Sequence, residues 1–199
     1  MSKNRLEAFS DGMFAIILTV LVLELKVPHL ENNTWAVFLG AMSEIVPKLL
    51  SFVFSFFIIA IFWVNHHHIV HQIEIVDSKL LWLNIALLFF ACLFPFLTAF
   101  IGDYPMNPFV VALYPINMAF SSIALGRLWK HAFVDTNLAT NALTQEQKQK
   151  RMRQDNMSAI VNLVAAVLAF IWVPITLMII VVMPFLFVVP EFLSNTREE

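Results

Sequence analysis

The sequence predicts an all-α, membrane-embedded fold, and three observations carry that prediction. Hydrophobic residues make up 60% of the chain and charged residues 13%, with a mean hydropathy of +0.79, outside the range of soluble globular domains. The apolar residues are gathered into runs of roughly 20, long enough to cross a bilayer as helices. Short polar connections separate the runs, so the whole chain, 1–199, reads as one compact integral domain.

The first run extends from about Ala8 to Val27 and ends at Pro28. Lys3 and Arg5 precede it, but no small-residue cleavage pattern follows, so it reads as a permanent helix rather than a removed leader. Trp35 to Met42 is an apolar lead-in, interrupted by Glu44, Pro47 and Lys48, to a second run from Leu49 to Val64. Hydropathy leaves open whether that lead-in is a separate interfacial helix or the start of the second span. A third span is expected from about Leu80 to Ile101, with Asn84 and Pro95 inside it, and the breaker-rich stretch Gly102 to Pro108 then turns the chain. The fourth runs from Phe109 to about Trp129. Residues Lys130 to Asp155 are polar and read as a connecting loop. From Met157 to Val189 the chain is apolar for longer than one helix needs; a bend near Trp172 to Ile175, at Pro174, makes two short spans. The tail from Glu191 to Glu199 is polar.

Six spans place both termini on one side of the membrane, and basic residues orient them. Lys3, Arg5, Lys79, Arg127, Lys130, Lys148, Lys150, Arg151, Arg153 and Arg197 fall on the side of the termini; Lys26 falls opposite and Lys48 is ambiguous. By the positive-inside rule both termini are cytoplasmic, and the expected location is the plasma membrane, as a multi-pass protein. The basic cluster Lys148 to Arg153 serves there to orient the chain, with lipid-headgroup contact as its other use.

Function is sought first where charge enters hydrocarbon. Arg5 and Asp11 stand at the start of the first membrane-length helix, where charges are usually paired and turned inward; the alternative is that both remain wet in the headgroup layer. Wound at 3.6 residues per turn, the helix places Gly12, Ile16, Thr19 and Leu23 on one stripe, while Asp11 points nearly opposite. Arg5 and Asp11 are too far apart along the helix to face each other, so each needs a partner from another helix or another subunit.

Other chemistries find little support. His67 and His71 are four apart and could share a metal ion with Glu74 or Asp77, but a histidine-rich metal enzyme needs more boxes than His29 and His131 add. The plainer expectation is one histidine bonded inside the bundle and the others at the wet interface, with no resident metal or cofactor. There is no G-x-S-x-G turn, H-E-x-x-H helix or Walker loop, so no enzyme is expected, and nothing points to nucleic acid. Cys92 is the single cysteine and sits in an apolar run, so no disulfide framework exists. A T-V-G-Y-G carbonyl filter is also absent.

Arg5-x-x-x-Phe9-Ser10-Asp11 resembles the signature that opens the first span of the transmembrane-protein-175 family of potassium channels. Trp63-x-x-His66, the stretch from Asp77 through Trp82 to Asn84, and Pro95 are similar to that family's second and third spans; the last two spans are alike in hydropathy. The resemblance implies a single six-span repeat assembling as a homotetramer in the lipid bilayer, with a pore lined by four copies of the first helix. It implies a side-chain constriction at Ile16 and a hydroxyl ring at Thr19, on the stripe that winding selects, with K+ as the permeant ion. It further implies that Ser10 and Asp11 pack in a polar network with Arg5 and His66, serving structure rather than ion contact. A secondary cation transporter is the competing reading, since Pro95, Pro115 and Asn117 could mark discontinuous helices. A purely structural membrane protein is a third.

Overall fold

The computed structural model describes residues 2–136, 138–139 and 143–183. Among these, α1 (Lys3–Leu23), α2 (Trp35–His71), α3 (Ser78–Cys92), α4 (Phe94–Asp103) and α5 (Pro108–Lys130) are followed by a π-helical turn, His131–Asp135. Next come α6 (Gln145–Leu168) and α7 (Val173–Met183). Four candidate spans are long and apolar enough to cross a membrane: α1, α2, the α3–α4 pair and α5 with its π turn; α7 is apolar but shorter. The end of the last predicted run at Val189 and the polar tail lie outside the described residues.

Several boundaries differ from the expected ones. Helix α1 starts at Lys3 and stops at Leu23, because the polar first turns are themselves helical and Lys3 pairs with Glu7 one turn on, at 3.8 Å. The open question at the second span resolves into one helix of 37 residues, with Pro47 inside it; at 1.5 Å per residue it is longer than the hydrocarbon layer is thick. The third span is broken. Pro95 has no N–H for the carbonyl one turn earlier, so α3 ends at Cys92, Leu93 N closes a tighter turn onto Phe90 O at 3.2 Å, and α4 starts at Phe94. Asn117 Nδ2 from α5 donates to the same Phe90 carbonyl at 3.1 Å, giving the break a partner in the core. Pro115 lies inside α5 without breaking it.

The largest correction concerns Lys130 to Asp155, which is not a loop throughout. Thr144 Oγ1 accepts from Gln147 N at 3.2 Å while Gln147 Oε1 accepts from Thr144 N at 2.9 Å. This capping box starts α6 at Gln145, well before the apolar residues begin. Helix α6 packs chiefly on α5, whereas α1 packs on α2, α3 and α4. The bend between α6 and α7 falls at Ala169 to Trp172, where Thr176 Oγ1 donates to Ala165 O at 2.9 Å.

A continuous apolar core runs through the bundle, from Phe14 and Leu21 of α1 through Ile58 and Ile59 of α2 to Leu87, Phe94 and Leu128. Ser55, Thr98 and Tyr114 meet inside it: Tyr114 Oη donates to Ser55 Oγ at 2.8 Å, and Thr98 Oγ1 lies 2.7 Å from Ser55 Oγ. Polar side chains from three helices thus satisfy one another where water is excluded.

A candidate pore helix and its polar junction

Helix α1 has two unlike sides. On the inner side Leu6, Ser10, Phe14, Ile17 and Leu21 are buried, the i, i+4, i+7 spacing of a helix laid against a core. Ser10 is the one polar residue among them, and its environment is built from two other helices. Asn84 Nδ2 of α3 donates to Ser10 Oγ at 3.0 Å, and Asn84 Oδ1 lies 2.7 Å from His66 Nε2 of α2. An amide oxygen only accepts, so the neutral His66 ring carries its proton on Nε2. All three residues are essentially inaccessible, and the Phe14 ring lies 5.6 Å from the His66 ring. Asn84 therefore fixes the mutual position of α1, α2 and α3.

Asp11 sits beside this junction, half-buried. Its partner is Trp63, whose indole Nε1–H donates to Asp11 Oδ1 at 2.8 Å. At the start of the helix Lys3 Nζ donates to the His71 carbonyl, so α1 is tied to α2 at both levels. Arg5 is not drawn into this network within the chain. It is exposed, on the outer side of α1, away from Ser10 and His66; the 3.6-residue winding puts it in line with Gly12 rather than with Ser10.

The outer side carries the other predicted residues. Phe9, Gly12, Ile16, Thr19 and Leu23 are all exposed, Ile16 by 59% and Leu23 by 73%. A Cβ added at Gly12 would meet no atom within 4 Å among the described residues. Thr19 Oγ1 donates its one hydrogen to the Ile16 carbonyl at 2.8 Å. Its remaining capacity is that of an acceptor, with oxygen lone pairs turned off the helix.

The histidines divide between inside and outside. His66 is buried; His67, His68 and His71 are exposed, the His67 and His71 rings stacked with centroids 5.9 Å apart. Among the described residues no group of three or more His, Cys, Asp or Glu side chains is placed to hold a metal ion. Asp77, considered as a ligand with them, is engaged elsewhere. Its Oδ1 accepts from Leu80 N at 2.7 Å, capping α3, and its Oδ2 lies 2.9 Å from Nε2 of the buried His131. The Leu80 N–H first, and His131 after it, hold the Asp77 carboxyl below the usual carboxylate range. Nothing in helical periodicity signals the His131 contact, because it joins the cap of α3 to the end of α5, 54 residues away in sequence. Asn84 and Trp63 were likewise visible as polar or amphipathic residues in apolar runs, but not as the partners of Ser10, His66 and Asp11.

Residues 5–95 match the sequence profile of the family described as "Endosomal/lysosomal potassium channel TMEM175". A potassium channel of Chryseobacterium sp. (strain P1-3) is 45% identical over 126 residues, 62% of this chain and 62% of the relative. A potassium channel of Chamaesiphon minutus is 33% identical over 171 residues, 84% of each. The crystal structure of a lysosomal potassium-selective channel TMEM175 homolog from Chamaesiphon minutus superposes with a TM-score of 0.82 at 30% identity, covering 94% of this chain and 97% of that one. The chain belongs to the TMEM175 family. The stretch matched by the TMEM175 profile holds every residue of the junction, Ser10, Asp11, Trp63, His66 and Asn84, together with the outer stripe of α1. The likeness to the solved TMEM175 homolog extends further, over nearly the whole chain.

Proposed function

We propose that this chain is one subunit of a passive potassium channel in the plasma membrane, assembled as a homotetramer around four copies of α1. The observation that carries this reading is the outer side of α1. A helix whose inner side is packed and hydrogen-bonded to α2 and α3 leaves Gly12, Ile16, Thr19 and Leu23 exposed among the described residues, on a stripe with a single hydroxyl. The apolar windows of α1 and α2 are the least buried, at 28% and 22% against 67% for α5, so both lie at the margin of one subunit, and α1 is the one that carries the polar signature. Closed rotational symmetry brings such margins to a common axis. The names of the relatives and of the solved homolog favour potassium as the ion.

An intact helix has bonded its carbonyls internally and offers an ion no ring of backbone oxygens. Four Ile16 side chains instead form a narrow apolar ring that strips water from a passing cation. This penalises strongly hydrated sodium more than potassium, and the Thr19 oxygens replace part of what is lost. The same ring closes by dewetting when the helices move slightly inward. Arg5, at the cytoplasmic end of the stripe, faces a neighbouring subunit. The chain acts as a single six-span unit with both termini cytoplasmic, without enzymatic activity or a cofactor beyond the permeant ion.

Potassium flux into liposomes containing only this protein tests the reading, with native mass measurement or cross-linking for the tetramer. Flux that saturates and is coupled to protons would replace the channel with a transporter; a stable monomer that conducts would remove the four-fold pore. The broken α3–α4 span does not favour the transporter, since Asn117 occupies the Phe90 carbonyl at the break.

A further inference from the structure

Two contacts set the register of α1 against α2. Lys3 Nζ donates to the His71 carbonyl, and Trp63 Nε1 donates to Asp11 Oδ1 at 2.8 Å. Eight residues along α1 answer eight along α2 in the opposite direction, so the two helices run antiparallel and the midpoints of these stretches, Glu7 and His67, stand at one level. Lys3, Glu7 and Asp11 follow one another at steps of four, as do Trp63, His67 and His71, so each set lies on one face of its helix. Along this seam α1 brings a carboxylate level with a pair of imidazoles.

His67 and His71 are exposed, their ring centroids 5.9 Å apart and their planes inclined by 19°. Two imidazoles one turn apart on a rigid helix can each turn a nitrogen onto one ion about 2.0–2.1 Å away, as in helices that bind zinc. Glu7 supplies the third ligand. Its Oε1 is closed to solvent and makes no hydrogen bond among the described residues, and Lys3 Nζ lies 3.8 Å from it. The same ammonium donates to the His71 carbonyl. The seam therefore already holds one cation, between a carboxylate and a histidine carbonyl. While Lys3 holds Glu7, the carboxylate and the two rings are not gathered on one point; an arriving metal ion competes with the ammonium for the carboxylate.

We propose that this seam binds one borderline divalent transition-metal ion, of the class of Zn2+, through His67 and His71 of α2 and Glu7 of α1, with Lys3 displaced into solvent. Imidazole nitrogens select such an ion over Mg2+ and Ca2+, which prefer oxygen ligands throughout. Water takes the fourth position. The ion is an exchangeable effector that clips α1 to α2, not a resident cofactor. The inference rests on contacts within one chain and stands independently of ion conduction.

The test uses the full chain, free of any affinity tag, in mild detergent, titrated with Zn2+ and followed by calorimetry and by the thermal unfolding midpoint. One Zn2+ per chain should bind at this seam and raise the midpoint, since a ligand of the folded state stabilises it by mass action; Mg2+ at the same concentration should do neither. His67→Gln and His71→Gln should each weaken binding by at least about tenfold, the loss that even a ligand's supporting partner typically brings. Glu7→Gln should weaken it in the same direction, while His68→Gln, about 100° further round α2, should leave it unchanged. Lys3→Met removes the competing ammonium and should tighten binding, a gain that chance chelation by surface histidines would not show. Zn2+ held undiminished by His71→Gln or Glu7→Gln overturns the proposal, and so does weaker binding in Lys3→Met. An equal loss in His67→Gln and His68→Gln overturns it too, by assigning the ion to the histidine surface at large, as does Mg2+ that competes with Zn2+ on equal terms.

Discussion

Along its inner side α1 closes its polar contacts within the chain, through Ser10 to Asn84 and His66 and through the neighbouring Asp11 to Trp63. Along its outer side, nearly half a turn away, Gly12, Ile16, Thr19 and Leu23 are exposed among the described residues. The two sides share backbone, membrane depth and helix propensity, so the difference between them is a difference of purpose. Burial of a polar hub is costly where a group is left unpaired, as His66 Nδ1 is among the described residues, and the Asn84 bonds to Ser10 and His66 hold three helices in register. The outer stripe has no such role in one subunit, and its single hydroxyl spends its hydrogen on its own helix.

The contrast is broken most severely at Asn84. Asn84→Ala removes one partner each from Ser10 and His66 and leaves both buried without replacement, at a cost of about 1–3 kcal/mol for each orphaned group. Thermal or denaturant unfolding in detergent should show a loss larger than for any stripe substitution, with lower yield of assembled protein. Asp11→Ala should act in the same direction, lowering assembly more than it changes ion preference. Arg5→Ala should weaken assembly while leaving the folded subunit intact. If Asp11→Ala assembles normally and shifts only selectivity, the carboxylate faces the ion path and the division of α1 into two sides fails.

Ile16→Asn breaks the contrast from the other side. If four copies of Ile16 form the ring, the four amides should wet it, raise total cation flux and bring the sodium-to-potassium permeability ratio toward one. A tenfold change in that ratio corresponds to about 1.4 kcal/mol of differential barrier. Leu18→Asn is the control: Leu18 packs against the core, so its replacement should cost stability and leave the ratio alone. Reversal potentials under opposed potassium and sodium gradients distinguish the two, and an unchanged ratio for Ile16→Asn would mean that the stripe is not the constriction.

How much of this could be read beforehand follows from what periodicity encodes. Winding places residues on faces, so the stripe and the separate direction of Asp11 were legible from residues 5–23 alone. It does not say which helix lies across from a face, so Trp63 and Asn84 could be noticed but not paired. Hydropathy counts apolar residues and therefore passed over the polar first half of α6, although Thr144 and Gln147 carry a capping-box spacing that announces a helix start. It also joined α3 to α4, because Pro95 disturbs backbone bonding and leaves the apolar run unchanged.

Asp77 supports the inner side at one remove, since it caps α3 two turns before Asn84. Losing this cap in Asp77→Ala should cost about 1 kcal/mol. The carboxyl is held below the usual range in the folded chain. Its contribution is therefore present above the unfolded value of about 3.9 and fades as pH falls through the lower folded value. The unfolding midpoint of Asp77→Asn should accordingly depend less on pH between about 2 and 4 than that of the unmodified chain. Equal slopes would remove Asp77 from the account.

The smallest effects sharpen the comparison most, because they use the same chemical change in two settings. At Gly102 an added Cβ would come within 3.0 Å of Ser51 Oγ and 3.2 Å of the Lys48 Cα. Backbone cannot yield there without moving α2, so Gly102→Ala should destabilise by about 1 kcal/mol. At Gly12 the same methyl group meets nothing within 4 Å among the described residues, and exchanging glycine for alanine inside a helix is worth about 0.5–1 kcal/mol in the stabilising direction. If the outer side of α1 faces only lipid, Gly12→Ala should raise the unfolding midpoint and leave conduction untouched. If four stripes converge on an axis, the four added methyl groups narrow the ion path, and flux through reconstituted protein falls while the subunit becomes no less stable. A gain in stability without a loss of flux would return the stripe to the lipid and take the pore away from α1.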